Sequence, residues 1–426
     1  MQKRLPHILV ILLFGLLFLP MTQLALNLFD EPKLEGIAKT AVSPTWRWSD
    51  WMKGSFQDTL TEYANQHCGF HSTMVRLNNQ YYYTVFNTAI TNHVVIGKQG
   101  YLYDKAHIAA YTGSDFLGND SVLSRVEAIR DLREILGKKG IRLMLVLLPG
   151  KGTAVPEFLP EGTPPAGQQT NYKSYQRLTD SLQLPTLDLV AWYKRQRDVS
   201  PYPLYPSGGI HWSQYCATIA ADTLLGFIEQ QIQTPLNRFE ISEIEYPAQP
   251  RGEDGDIDRG MNLLFPNSGY PMAYPKVKWK GIDPKFSVMT VGDSYYFKAF
   301  TDFTGAAFAK SSFWFYHNEL HTLGNLVIRS NDEVDIIREI ESNDLIILYC
   351  ADANLKLFSW GFVEDALRAY RDPVRREAEI DGIVANIRKD PNWLQVIQHF
   401  ADSTHLPLDS LLRANASYVF ETARIR

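Results

Sequence analysis

Residues 121–149 read SVLSRVEAIRDLREILGKKGIRLMLVLLP, and they decide the fold. Val122, Val126, Ile129, Leu132 and Leu136 recur at helical spacing, and Gly140 closes the helix. The run from Ile141 to Leu148 then shows no polar alternation. A strand buried on both faces has that character, and such strands belong to parallel sheets covered by helices. Working outward toward the C-terminus, YKSYQRLTDSLQ reads as a helix and PTLDLV as a second strand. WSQYCATIAADTLLGFIEQQI is a strong helix, FSVMTVGDS a third buried strand and DLIILYC a fourth. Strands alternating with helices predict an α/β fold, a three-layer sandwich with a mainly parallel sheet.

Toward the N-terminus, FQDTLTEYANQH and STMVRLNNQYYYTVF have helical spacing with a break at Cys68 and Gly69, and HVVIGKQGYLYD reads as two short strands about a turn. The stretch before Asp30 is different. ILVILLFGLLFLPMTQLALNLF follows Lys3 and Arg4 and is almost uncharged. At roughly 20 residues it is long enough to span a bilayer. A cleaved signal peptide would have a shorter apolar region and a small-residue cleavage site. We therefore expect an uncleaved anchor, with the bulk of the chain outside the cytoplasm by the positive-inside rule. Beyond Phe358 the sequence reads as short amphipathic helices. The expected division is an anchor over 1–29, a juxtamembrane linker over 30–60, the α/β domain over 61–357 and a helical appendage over 358–426.

The net charge of −5 and the lack of a long basic run exclude a phosphate-backbone partner, so no nucleic acid is expected. The three cysteines, Cys68, Cys216 and Cys350, lack C-x-x-C spacing. No zinc site or other metal is expected, and no cofactor.

The third strand ends in VGDSYYF, residues 291–297. In open α/β sheets, ligands bind beyond the carboxyl ends of strands. Ser294 stands at such an end, beside Asp293, and is the candidate nucleophile. A serine needs a base, usually histidine. His211, in the loop GGIHWSQ before a strong helix, is the first candidate and His317, in WFYHNEL, the second. Lys151, in LLPGKGTAVPEFLP, sits at another strand end and could support an anion or a sugar hydroxyl. Asn354, after LIILYC, is a candidate side chain for the oxyanion hole.

These landmarks also carry a resemblance. ANQHCGFHSTMVRLNNQYYYTVFNTAITNHVVIGKQGYLYD, LLPGKGTAVPEFLP, PLYPSGGIHWSQYCA and VGDSYYF occur in the order seen in the SGNH-hydrolase-like domain of bacterial alginate O-acetylation proteins. The resemblance implies a periplasmic O-acetyltransferase that acts on an exported polysaccharide through an acyl-serine intermediate. It implies Ser294 as nucleophile, His211 as base, Asp293 in a structural role, and a membrane-bound O-acyltransferase as partner. The location implied is the inner membrane, single-pass, with the bulk in the periplasm. A carbohydrate esterase, or a non-catalytic subunit of an acylation complex, would share the motifs. The anchored SGNH protein of teichoic-acid D-alanylation has a similar plan.

One departure stands out. The family carries an Asp two residues before the histidine, where this chain has Gly209. Three arrangements are open: an acid from another loop, with Asp256 and Asp258 in GEDGDIDRG as candidates; a backbone carbonyl; or a slow site. We expect a Ser-His dyad, and expect Gly209→Asp to raise its turnover.

Overall fold

The computed structural model describes residues 5–36, 41–266, 270–323, 327–404 and 406–422. Its strands in chain order are β1 (Val94–Ile96), β2 (Leu102–Asp104), β3 (Arg142–Leu148), β4 (Thr186–Asp188), β5 (Phe239–Glu245) and β6 (Tyr274–Trp279), then β7 (Ser287–Gly292), β8 (Lys310–Phe315), β9 (Glu319–Thr322), β10 (Val327–Ser330) and β11 (Leu345–Ala351). Seven form one sheet in the order β10-β9-β8-β7-β11-β3-β4. From β8 to β4 all pairings are parallel, and β9 and β10 extend the edge antiparallel. The sheet is therefore mixed, with a parallel centre. β1 pairs with β2, and β5 with β6, in separate antiparallel ribbons.

The three layers can be read along a single strand. In β3, Met144, Val146 and Leu148 enter one apolar cluster, while Leu143, Leu145 and Leu147 enter another on the opposite face. Successive side chains of a strand point to opposite faces, so both faces of the sheet are covered. The helices Leu189–Arg197 and Gln214–Ile232 cover the first face through Trp192, Tyr193, Ala220, Leu224 and Ile228. Asn119–Lys138 covers the second, and all five of its periodic apolar residues are buried.

Several elements differ from the expectation, each for a local reason. The second strand stops at Asp188, because that side chain accepts from the Val190 and Ala191 N–H groups and starts a helix. β8, KSSFWF, is a fifth parallel strand, too short and aromatic-rich for its period to declare it. Helix Phe362–Arg371 packs Phe362, Val363, Ala366 and Leu367 into the second cluster. The helices Pro373–Lys389, Pro391–Thr404 and Leu408–Thr422 have their own core of Ile380, Ile387, Ile397, Leu412 and Ala416. The appendage expected from residue 358 thus separates at Pro373. The expected linker, 30–60, contains the helical turn Trp48–Lys53 and the start of helix Ser55–His67.

The chain opens with helix Leu5–Leu26. Lys3 and Arg4, and the side chains of residues 5–9, 11 and 12, lie outside the described residues. Among the described residues no helix is long and apolar enough to cross a membrane.

Candidate active site

Three parallel strands, β3, β11 and β7, end side by side, and their following loops build the site. β7 and β11 approach closely at Gly292, where a Cβ would lie 2.7 Å from Tyr349 O. Glycine is required there to let the turn after β7 lie against β11. The turn is then tied down by Asp293. One of its carboxylate oxygens accepts from Tyr295 N–H at 3.2 Å. The other accepts from Ala351 N–H at 2.8 Å and from the Asn354 amide at 3.0 Å. Burial pushes the Asp293 carboxyl up, while the Asn354 and Ala351 donors and the nearby His211 oppose that rise. Asp293 joins two strand ends and leaves Ser294 half-buried just past β7.

His211 Nε2 lies 2.8 Å from Ser294 Oγ. The imidazole belongs to the loop before helix Gln214–Ile232, whose cap Ser213 accepts from Cys216 N–H. The loop is held from below by Lys151. That side chain is fully buried and donates to Ser207 O and Gly209 O, both at 2.7 Å. Its ammonium lies 5.4 Å from the ring centres of Tyr101 and of Tyr103. Burial drives its pKa well below the lysine value, opposed by Asp256. This corrects the cleft role expected for Lys151: with no exposed surface it cannot meet an anion or a sugar. It positions the histidine loop. Tyr295 braces the same loop, donating to Ile210 O at 3.0 Å and packing edge-on to the imidazole at 4.7 Å.

The far side of the imidazole answers the question raised by Gly209. His211 Nδ1 faces Asp256 Oδ2 at 3.5 Å and Glu253 Oε2 at 3.7 Å. Both contacts are long for a hydrogen bond, and Nδ1 is otherwise without a partner. The other Asp256 oxygen accepts from Ile210 N–H at 3.0 Å and Ile257 N–H at 2.7 Å, which fixes the carboxylate beside the ring. Burial alone would lower the His211 pKa, but Asp256, Glu253 and Asp293 raise it above the ordinary imidazole value. Asp258 is placed elsewhere, its N–H donating to Gly208 O at 2.9 Å.

A Cβ at Gly209 would lie 2.5 Å from Glu253 O and 2.9 Å from Asp254 C. The 253–256 loop occupies the space that an aspartate at 209 would need, and brings carboxylates of its own. The site is therefore not a bare dyad. His317, the second candidate base, is turned away: its Nδ1 lies 3.3 Å from Trp360 O, and its ring packs on Trp314 and Phe362. Asn354 is engaged by Asp293, so its amide is at most partly free for an oxyanion.

A cleft of about 590 Å³ is lined by Trp212, Glu253, Tyr274, Phe297 and Lys298, chain neighbours of the site, with neither His211 nor Ser294 in its wall. Its aromatic and charged lining suits a polar ligand with flat apolar faces. Among the described residues no group of three or more His, Cys, Asp or Glu could hold a metal ion. All three cysteines are free, with Cys68 exposed. Glu253 and Tyr295 were missed by sequence reasoning, although both lie inside segments it had singled out.

Comparison with known proteins gives the setting. Residues 94–272 match the family model described as the SGNH hydrolase-like domain of acetyltransferase AlgX. The match holds His211 and Asp256, covers under half of the chain and ends before Ser294. No curated protein matches. Among solved structures, the O-acetyltransferase domain of Pseudomonas putida AlgJ is 16% identical with a TM-score of 0.44, covering 65% of this chain and 99% of that one. Bacillus cereus PatB1 with a sulfonyl adduct is 13% identical with a TM-score of 0.43, covering 63% and 99%. Pseudomonas aeruginosa AlgX is 15% identical with a TM-score of 0.41, covering 64% and 67%. At these scores the chemistry has to be argued from this chain's own residues. The resemblance read from the sequence and the family match point to the same model, the AlgX-type SGNH hydrolase-like domain, over residues 94–272.

Proposed function

We propose that the domain is an O-acyltransferase that moves an acetyl group onto a sugar hydroxyl through an acyl-Ser294 intermediate. The observation that carries this reading is the 2.8 Å contact between His211 Nε2 and Ser294 Oγ at a strand end, with carboxylates behind Nδ1. In the first half-reaction Ser294 Oγ attacks the acyl carbonyl and gives its proton to His211 Nε2. The leaving alcohol takes that proton as the tetrahedral adduct collapses. In the second, His211 takes the proton of the acceptor hydroxyl, which attacks the acyl-serine and releases Ser294. Asp256 keeps the proton on Nδ1 and stabilises the imidazolium formed in each half. The open cleft beside Trp212 and Phe297 is wide enough for a sugar ring.

The family match supports a polysaccharide acceptor, of which alginate is the first to try. The uncharged sequence before Asp30, with Lys3 and Arg4 ahead of it, supports a single-pass inner-membrane anchor and a periplasmic domain. A membrane-bound O-acyltransferase would supply the acyl group there. The test has two arms. An aryl acetate should release its phenol, and Ser294→Ala should abolish that release. A mannuronate oligosaccharide added with the aryl acetate should become acetylated. Phenol release with free acetate as the sole acyl product would favour an esterase. No release by the wild-type chain would favour a non-catalytic subunit.

A further inference from the structure

Tyr316 reaches the same serine from the neighbouring strand. It is the residue just past β8, and its N–H donates to Gly292 O at 2.9 Å, which pins it beside the end of β7. That places its hydroxyl near both the side chain and the backbone of Ser294. The backbone that presents it is strained. Tyr316 and His317 have φ of 51° and 50°, and Ser359 and Trp360, in the loop after β11, have 63° and 47°. Left-handed backbone at bulky residues costs on the order of 1–3 kcal/mol each and persists only where the surroundings enforce it. Here the two strained pairs clasp each other. The Trp360 ring lies 5.0 Å from the Tyr316 ring, and Trp360 O lies 3.3 Å from His317 Nδ1. The clasp directs one phenol at the nucleophile. Burial, with Asp293 nearby, raises the Tyr316 pKa although Ser294 opposes the rise, so at neutral pH the phenol is a donor. Meanwhile Asn354, the other side-chain donor within reach, is engaged by Asp293.

We propose that Tyr316 is a further catalytic residue, whose O–H joins the Ser294 backbone N–H in holding the oxyanion formed on attack. The inference rests on the acyl-serine reading above. As the Oγ–carbon bond forms, the Oγ proton passes to His211 Nε2 and the carbonyl π pair moves onto oxygen. That oxygen is held by two neutral donors, neither of which is deprotonated. When the pair returns, the alcohol leaves with the proton from His211, and Tyr316 turns back to Oγ.

The test is Tyr316→Phe, which removes one oxygen and keeps the ring against Trp360. Aryl acetate kinetics are referred to the fraction of chains titrated by a serine-directed sulfonyl fluoride, so misfolded protein is not counted. The expected result is a kcat lower by about 10²–10³, as for other lost oxyanion donors. KM should stay within about twofold, and the acid limb of the pH profile should not move, because His211 and its carboxylates are untouched. A kcat within about threefold of wild type would overturn the role, given the 10²–10³ expected of such a donor. So would a loss expressed wholly in KM. Ser294→Ala separates this from the parent reading: full activity there would sink the acyl-serine mechanism whatever Tyr316→Phe does.

Discussion

The ends of β3 and β7 look alike in sequence. Each is a buried strand running into a short turn that holds one polar residue, Lys151 in one and Ser294 in the other. In the structure they do opposite things. Lys151 is fully buried, and both of its side-chain bonds go to backbone carbonyls of the His211 loop. Ser294 is half-buried and in contact with the His211 side chain. The difference lies in how each meets the 207–211 loop: Lys151 is spent on two of its backbone carbonyls, whereas Ser294 meets the side chain of His211. A strand end is thus a place where a site can be built, and its contact with the neighbouring loop decides whether its residue works on substrate or on the scaffold. Changes at β7 and its loops should lose rate with stability kept, and changes at β3 should lose stability first.

The largest effect expected from the carboxylates behind the base is that of Asp256→Asn. Removing a correctly placed carboxylate in the serine-protease triad costs about 10⁴. The 3.5 Å spacing here is looser, and we expect a loss of about 10²–10³ in kcat/KM for an aryl acetate. The pH profile should move too. His211 works as a base when neutral, and Asp256 holds its pKa up. Losing that carboxylate lowers the pKa, so the acid limb shifts to lower pH while the plateau falls. Glu253→Gln should change the plateau by less than about threefold, because its carboxylate is exposed and farther from Nδ1. If the two variants exchange these effects, Glu253 is the orienting acid.

Next in size is Lys151→Met. It strands the buried Gly209 O and leaves Ser207 O with the Leu102 N–H alone. An unsatisfied buried acceptor costs about 1–3 kcal/mol, and chemical denaturation should read a loss of about that size. Protein that remains folded should keep its KM. A stable variant with a raised KM would place Lys151 in the cleft after all and break the comparison.

The smallest is Gly209→Asp. The sequence suggested that it would restore a missing acid. The structure reverses that expectation, because the new Cβ would press on Glu253 O and Asp254 C. Forced overpacking costs typically about 1–3 kcal/mol, and displacing the 253–256 loop carries Asp256 away from His211. Turnover should fall rather than rise, with a lower melting midpoint. A gain in turnover would mean that the loop yields and the acid is better placed at 209.

What the sequence could carry follows from these contrasts. The helix-strand alternation around residues 121–149 is a local, periodic signal, so the parallel centre of the sheet was legible. So were Ser294 and His211, each at the border of a strong element. β8 and the β9–β10 edge were not, since runs of four to six residues have too few periods to register. Lys151 could be placed at a strand end but not assigned a direction, because its partners are backbone carbonyls 56 and 58 positions away. Tyr316 gave no signal at all, since its role depends on two left-handed turns from separate loops meeting in space. At Gly209 the sequence exposed a missing acid and named Asp256 among its replacements. Choosing among them required seeing which loop fills the room beside His211.

The central claim, that Ser294 is made nucleophilic by His211 and carries the acyl group, is tested most directly by trapping the intermediate. The chain is mixed with an activated acetyl ester, quenched in acid within the first turnover, digested, and its peptides mapped by mass spectrometry. The account predicts one acetyl group on the peptide that contains Ser294, present in wild type, diminished in His211→Ala and absent in Ser294→Ala. Acetylation that falls on another residue, or ester turnover that persists in Ser294→Ala at the wild-type rate, would contradict it.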